Sequence, residues 1–266
     1  MTNKIRIPAA KIVITILFGF LTGIAAGLIG VGGGEFRLPI LLYVLGVQLM
    51  PAIVINLLVG LLTVTTSFLQ RFKSGLLNEH MTNIAFAMSL GSIVGSYLGA
   101  RLTNKIPEKP LKKVLAIILI VVGLKIGFEP FVQPPFLLQL SLGFIEEAVL
   151  ATFIGIVIGV ISGLLGVAGG EFRIPALIYL FNLNIVNAGT TSLLVSIPTV
   201  AIGFLKHHRM GHVNKETVII ATTLAIGSVI GALVGASYAN VVDKEILKVL
   251  LGIILILAVA RMITRP

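Results

Sequence analysis

Long apolar runs separated by short polar stretches cover the chain. Ten can be drawn, at residues 12–31, 38–50, 52–70, 81–100 and 111–124, then 146–167, 174–186, 188–206, 217–239 and 246–263. Most are near the roughly 20 residues that carry a helix across a bilayer. The second run of each set holds only 13 residues. That is about 20 Å of helix, against a hydrocarbon core of roughly 30 Å. It is therefore either a short tilted crossing or one arm of a re-entrant hairpin. Residues 12–31 follow Lys4, Arg6 and Lys11 as the core of a secretory signal would, yet no small-residue cleavage pattern leads into a polar mature chain. They are expected to be the first retained helix.

The ten runs are one unit written twice. GLIGVGGGEFRLPILLY at Gly27 to Tyr43 recurs as GLLGVAGGEFRIPALIY at Gly163 to Tyr179, 136 residues later. The same offset carries Leu57, Leu58 and Val59 onto Leu193, Leu194 and Val195, and Gly91, Gly95 and Gly99 onto Gly227, Gly231 and Gly235. The register slips by one near Lys113. The expected organisation is a first repeat over 1–130, a linker over 131–145 around the polar EPFVQPP stretch, and a second repeat over 146–266. With an odd number of crossings per repeat, the second is inverted. The fold class is an all-α polytopic membrane protein of two inverted repeats, each with about five hydrophobic segments.

Composition narrows the function. The chain is 57% hydrophobic and 11% charged over 266 residues, whereas soluble domains run near about 45–50% and about 25%. No length remains for a soluble catalytic domain. The absence of cysteine removes disulfides, thiolate metal sites and thiol catalysis. The net charge of +10 is explained by topology rather than nucleic acid. With an inside N-terminus and every segment crossing, 14 of the 20 Lys and Arg fall inside, and Arg37, Arg71, Lys73, Lys125, Lys244 and Lys248 fall outside. The basic run from Arg101 to Lys113 is a topology determinant that also meets lipid headgroups.

Glycines recur every fourth residue at Gly19, Gly23 and Gly27, at Gly91, Gly95 and Gly99, and at Gly155, Gly159 and Gly163, with Gly227, Gly231 and Gly235 completing the pattern. Such stripes are helix-packing surfaces. Denser glycine marks the candidate site: Gly32, Gly33 and Gly34 precede Glu35 and Arg37, and Gly169 and Gly170 precede Glu171 and Arg173. Glycines at this density break a helix, and Pro39 or Pro175 suits the first turn of the next one. Each copy reads as helix, break, helix N-terminus, a place where free amides and the dipole favour an anion. Arg37 and Arg173 add planar donors suited to carboxylate, sulfonate or phosphate. Glu35 and Glu171 either carry protons or orient the arginines. Alternatively, the Glu and Arg pairs are interfacial salt bridges. The run is no P-loop, for neither Lys-Ser nor Lys-Thr follows.

Polar positions in the third segments, Asn56, Thr63, Thr65, Thr66 and Ser67 against Thr190, Thr191, Ser192, Ser196 and Thr199, either line a pathway or satisfy backbone. Asn56 and its counterpart Ser192 are the preferred candidates. His207, His208 and His212 have no acidic partner nearby and read as part of a solvated basic loop, so no metal is expected.

The doubled G-x-G-G-G-x-x-x-x-P stretch, matched by Gly30, Gly32, Gly33, Gly34 and Pro39 and, with Ala168 departing, by Gly166, Gly169, Gly170 and Pro175, resembles the sulfite exporter TauE/SafE family of membrane permeases. That resemblance implies transport of sulfite, sulfonates or other small organosulfur or organic anions across a prokaryotic cytoplasmic membrane. The expectation is a secondary transporter with a small anionic substrate, lipid contacts and protons as a coupling ion. No cofactor, nucleic acid or enzymatic activity is expected, and oligomeric state is left open. Competing readings are a membrane-embedded polyprenyl pyrophosphate phosphatase, an anion channel or a non-transporting subunit.

Overall fold

The computed structural model describes residues 9–102, 120–121, 123–131, 143–208 and 215–264, and among these there is no strand. The helices are α1 (Ala9–Ile29), α2 (Gly34–Pro39, continued by a π-helical turn over Ile40–Val44), α3 (Leu49–Lys73), α4 (Glu79–Leu102), α5 (Phe144–Leu165), α6 (Gly170–Leu180), α7 (Ile185–His208), α8 (Lys215–Tyr238) and α9 (Lys244–Thr264). A helical stretch also covers 120–121 and 123–128, with a 3-10 turn at Glu129–Phe131. Residues 1–8, the 131–145 linker beyond Phe131 up to 142, and most of the 101–113 basic run lie outside the described residues.

The ends of these helices follow local chemistry. Gly30 and Gly166 adopt left-handed φ of 95° and 67° where α1 and α5 stop. The backbone amide of Gly30 donates to the Ala26 carbonyl at 2.9 Å, and that of Gly166 to the Ser162 carbonyl at 2.9 Å, the usual way a glycine closes a helix. Asn78, Asn184 and Asp243 accept amides of the first turns of α4, α7 and α9. Asn182 takes φ 53° after α6, at the position equivalent to left-handed Gly46. Asparagine is the side chain that tolerates this region best.

Among the described residues, six helices are long and apolar enough to cross a membrane: α1, α3, α4, α5, α7 and α8. Their outer faces expose large apolar side chains such as Val13, Phe86, Phe153 and Val218, a surface matched to lipid. The chain is a multi-pass membrane protein. With eleven residues, α6 reaches about 16 Å and cannot span the core alone. The same holds for α2 with its π turn.

The two halves are intertwined. α1 packs along α8 of the other half and α5 packs along α4, while α3 and α7 meet at the centre. The α1–α8 and α4–α5 contacts are made by glycine stripes facing each other. A Cβ on Gly19, Gly23 or Gly27 would run into the α8 backbone at Leu224, Ser228 and Ala232, and one on Gly227, Gly231 or Gly235 into α1 at Ile16, Phe20 and Ile24. The α4–α5 pair repeats this at Gly91, Gly95 and Gly99 against Thr152, Ile156 and Val160, each position displaced by 136. Hydroxyls add the same exchanged bonds: Ser228 Oγ donates to the Gly19 carbonyl and Ser92 Oγ to the Gly155 carbonyl, both at 3.1 Å. Between helices in lipid there is no hydrophobic gain, so close backbone contact and such bonds supply the adhesion.

Replacing Gly95 with leucine should therefore force α4 off α5 and lower stability by about 3 kcal/mol, read as a fall in Tm in detergent. Gly127→Ala is the control, since its methyl meets the Gly252 Cα at an ordinary 3.6 Å, and its Tm should match that of the native chain.

Candidate functional site

The two glycine breaks cross at the centre of the molecule. Gly32 and Gly33 take φ of 101° and 74°, and Gly169 takes 79°. These are the left-handed conformations glycine adopts at no steric cost. Gly33 and Gly169 are the N-caps of α2 and α6, and neither helix has a side-chain cap bond. Both helices begin earlier than the sequence implies, because a left-handed glycine lets the chain turn into a helix at once. Pro39 and Pro175 are consequently sixth residues rather than first-turn residues. Each removes the amide that would bond the Glu35 or Glu171 carbonyl.

At the crossing, equivalent residues touch. A Cβ on Gly32 would lie 2.6 Å from the Ala168 Cβ, and one on Gly170 would lie 2.6 Å from the Val31 carbonyl carbon. Gly32 and Ala168 are related by the repeat offset and face each other, so there is room for one methyl group, which accounts for the single departure of the second motif.

Four ionisable side chains are buried there: Glu35 at 5% exposure, Glu171 at 3%, and Arg37 and Arg173 at 0%. They are interior groups, not interfacial ones. Arg37 and Arg173 thus leave the loop-charge tally, as does Arg71, also at 0%. Arg37 is held by neutral acceptors, with Nε donating to Asn56 Oδ1 at 3.2 Å, Nη1 to Thr63 Oγ1 at 3.3 Å and Nη2 to the Gly32 carbonyl at 2.7 Å. Asn56 Nδ2 in turn donates to the Gly166 carbonyl at 2.7 Å, tying α3 to the opposite break. Arg173 donates from Nη1 to Ser196 Oγ at 2.7 Å and to the Ser192 carbonyl at 3.2 Å. The carboxyl groups of Glu35 and Glu171, one from each break, are near enough to interact electrostatically.

Helix α2 has six residues, too few to present an anion site at its N-terminus by itself, whereas α6 has eleven. Of the hydroxyls on α3 and α7, Thr63, Thr190, Ser196 and Thr199 each donate to the carbonyl four residues back, and Thr65 and Thr66 are only half-buried. A separate groove of 430 Å³ between α3 and α8 is lined by residues such as Leu58, Leu62, Ile226 and Ile230, walls that offer an anion no counter-charge.

In the sequence Arg71 reads only as a loop charge. Its guanidinium donates to the carbonyls of Gly27, Leu28 and Val186 and to Thr190 Oγ1 at 2.8–3.1 Å, closing the C-terminal end of α1 and fastening it to α7. Its repeat equivalent is His207, and His207 Nε2 lies 3.2 Å from the Gly163 carbonyl, the equivalent of Gly27. At 1% exposure, His207 is buried rather than part of a solvated loop. Residues 209–214 lie outside the described residues. The offset pairing of Arg71 with His207 was visible in the sequence, but burial of both was not. Among the described residues, no group of three or more His, Asp or Glu is placed to hold a metal.

The fold and site define an all-α, multi-pass membrane protein with two helix breaks crossing in its interior. The chain matches the family model "Sulfite exporter TauE/SafE" over residues 2–126 and 150–266, and it belongs to that family of membrane transporters. It is also similar to "Probable membrane transporter protein YdhB" of Bacillus subtilis (strain 168), at 32% identity over 98 residues, spanning 37% of this chain and 39% of the relative. No solved structure matches the chain.

Two substitutions test this geometry. Gly32→Ala puts a methyl against Ala168 at a left-handed φ and should lower Tm, while Ala168→Gly should be tolerated. Arg71→Met keeps the bulk but strands the carbonyls at the end of α1, and should cost about 3 kcal/mol in a reversible unfolding titration.

Proposed function

We propose that the protein is a secondary transporter of small anions, sulfite, a sulfonate or another organosulfur or organic anion, across the cytoplasmic membrane. The halves, 1–130 and 146–266 joined through 131–145, act as inverted units that rock about the crossed breaks to give alternating access. Gly32, Gly33, Gly34, Glu35, Arg37 and Asn56, with Gly169, Gly170, Glu171, Arg173 and Ser192, form the substrate centre.

One observation carries this reading: two arginines and two carboxyl groups are buried together where the halves cross. Burying charge at membrane depth costs about 2.5–3.5 kcal/mol per group on insertion scales. The two guanidinium groups beside the breaks suit an anion. A proton is the natural coupling ion, since Glu35 and Glu171, one from each half, are buried at the crossing and change their surroundings when the halves move.

The test is flux into proteoliposomes with sulfite, thiosulfate, methanesulfonate and acetate. Saturable flux of at least one, accelerated by a pH gradient, is expected. Glu171→Gln should abolish the acceleration and leave exchange down the anion gradient. Flux of none above protein-free liposomes overturns the proposal, and flux that never saturates replaces the carrier with a channel.

A further inference from the structure

The two arginines at the breaks are equivalent in sequence but not in bonding. All three nitrogens of Arg37 have partners. Arg173, equally buried, uses only Nη1, and its Nε and Nη2 have no hydrogen-bond partner among the described residues. The cause lies in two neighbouring differences between the repeats. Asn56, whose amide oxygen takes Arg37 Nε, is replaced by Ser192, whose side chain is too short to reach the corresponding nitrogen. Gly60, against which Arg37 Nη2 rests, is replaced by Ser196, which draws Arg173 Nη1 to itself.

Nε and Nη2 form one edge of the guanidinium, a planar fork spaced for two oxygens of one oxyanion. Nη2 lies beside Gly169, the N-cap of α6, where an added Cβ would sit 3.6 Å from it, so the fork and the start of this helix adjoin. The hydroxyl of Ser192, at 0% exposure, is likewise without a partner. Buried donors are rarely left unmatched in a native protein, and here they cluster in one repeat at the position that an asparagine fills in the other.

We propose that a single oxyanion is bound by Arg173 alone, through its Nε and Nη2 edge and the Ser192 hydroxyl, while Arg37 is a strut that holds the first break to α3. The assignment rests on the anion-transport reading and makes the centre functionally asymmetric despite its duplicated sequence. A planar or tetrahedral group offering two oxygens to the fork and a third to Ser192, as in a sulfonate or sulfite, fits better than a halide.

Calorimetric titration of the purified protein in detergent with methanesulfonate, sulfite and chloride tests it, with Tm recorded for every variant. The native chain should bind one equivalent of methanesulfonate or sulfite and bind chloride more weakly. Ser192→Asn should cut that affinity about tenfold or more while Tm holds or rises, because the introduced amide oxygen takes Arg173 Nε. Arg173→Lys should weaken binding similarly. Thr63→Val, which removes one Arg37 bond, should leave affinity unchanged. The assignment is overturned if two equivalents bind, if Ser192→Asn and Arg173→Lys bind as the native chain does, or if Thr63→Val weakens binding as much as they do. If the native chain binds neither methanesulfonate nor sulfite, the assignment falls, while the transport reading is decided by the flux measurement.

Discussion

Backbone-to-backbone contact across the glycine stripes is the constraint on which the arrangement rests. In water, two helices are driven together by burying apolar side chains. In a bilayer the surrounding lipid is as apolar as leucine, and that drive disappears. What remains is short-range attraction and hydrogen bonding, both of which fall away steeply with distance. Glycine every fourth residue lets α1 reach the backbone of α8, and α5 that of α4, closely enough for Ser228 and Ser92 to bond carbonyls on the neighbouring helix. Both contacts join one half to the other. The halves are held as one body, with α3 and α7 enclosed between them.

That enclosure makes the glycine breaks possible. A broken helix exposes amides and carbonyls that lipid cannot satisfy, so irregular backbone at membrane depth survives only inside protein. Here each break is covered by the other, and the buried arginines and Asn56 supply donors to freed carbonyls. Arg71 does the same for the end of α1, and His207 contacts the equivalent carbonyl of α5. The polar side chains in the interior thus first make the breaks stable, and what bonding capacity is left over is available for a ligand.

Duplication brings a problem of its own. Where equivalent residues meet, identical side chains would need the same space, and the sequence departs from its repeat at those places. Gly32 faces Ala168, Asn56 corresponds to Ser192, Gly60 to Ser196 and Arg71 to His207. Each substitution changes either a methyl group at the crossing or a bond around a buried cation. The copies are alike in the breaks and in the Glu and Arg residues they carry, and differ in the side chains that bond those arginines.

Much of this was legible before any coordinates. Apolar run length, the 136-residue repeat and glycine spacing are properties of neighbouring positions along the chain, and they determined an all-α membrane protein, its duplicated halves and its packing stripes. The breaks were legible too, because dense glycine disfavours helix wherever it occurs, although the point at which each short helix restarts depended on which glycine turned left-handed. Only the tertiary structure decided which stripe meets which, that Arg37, Arg71 and Arg173 are interior rather than loop charges, and that one arginine is saturated while its twin is not. Those outcomes rest on partners as far apart as Asn56 and Gly166 or Arg71 and Thr190. Local pattern carries no information about such pairings, since they exist only once the two halves have closed on each other.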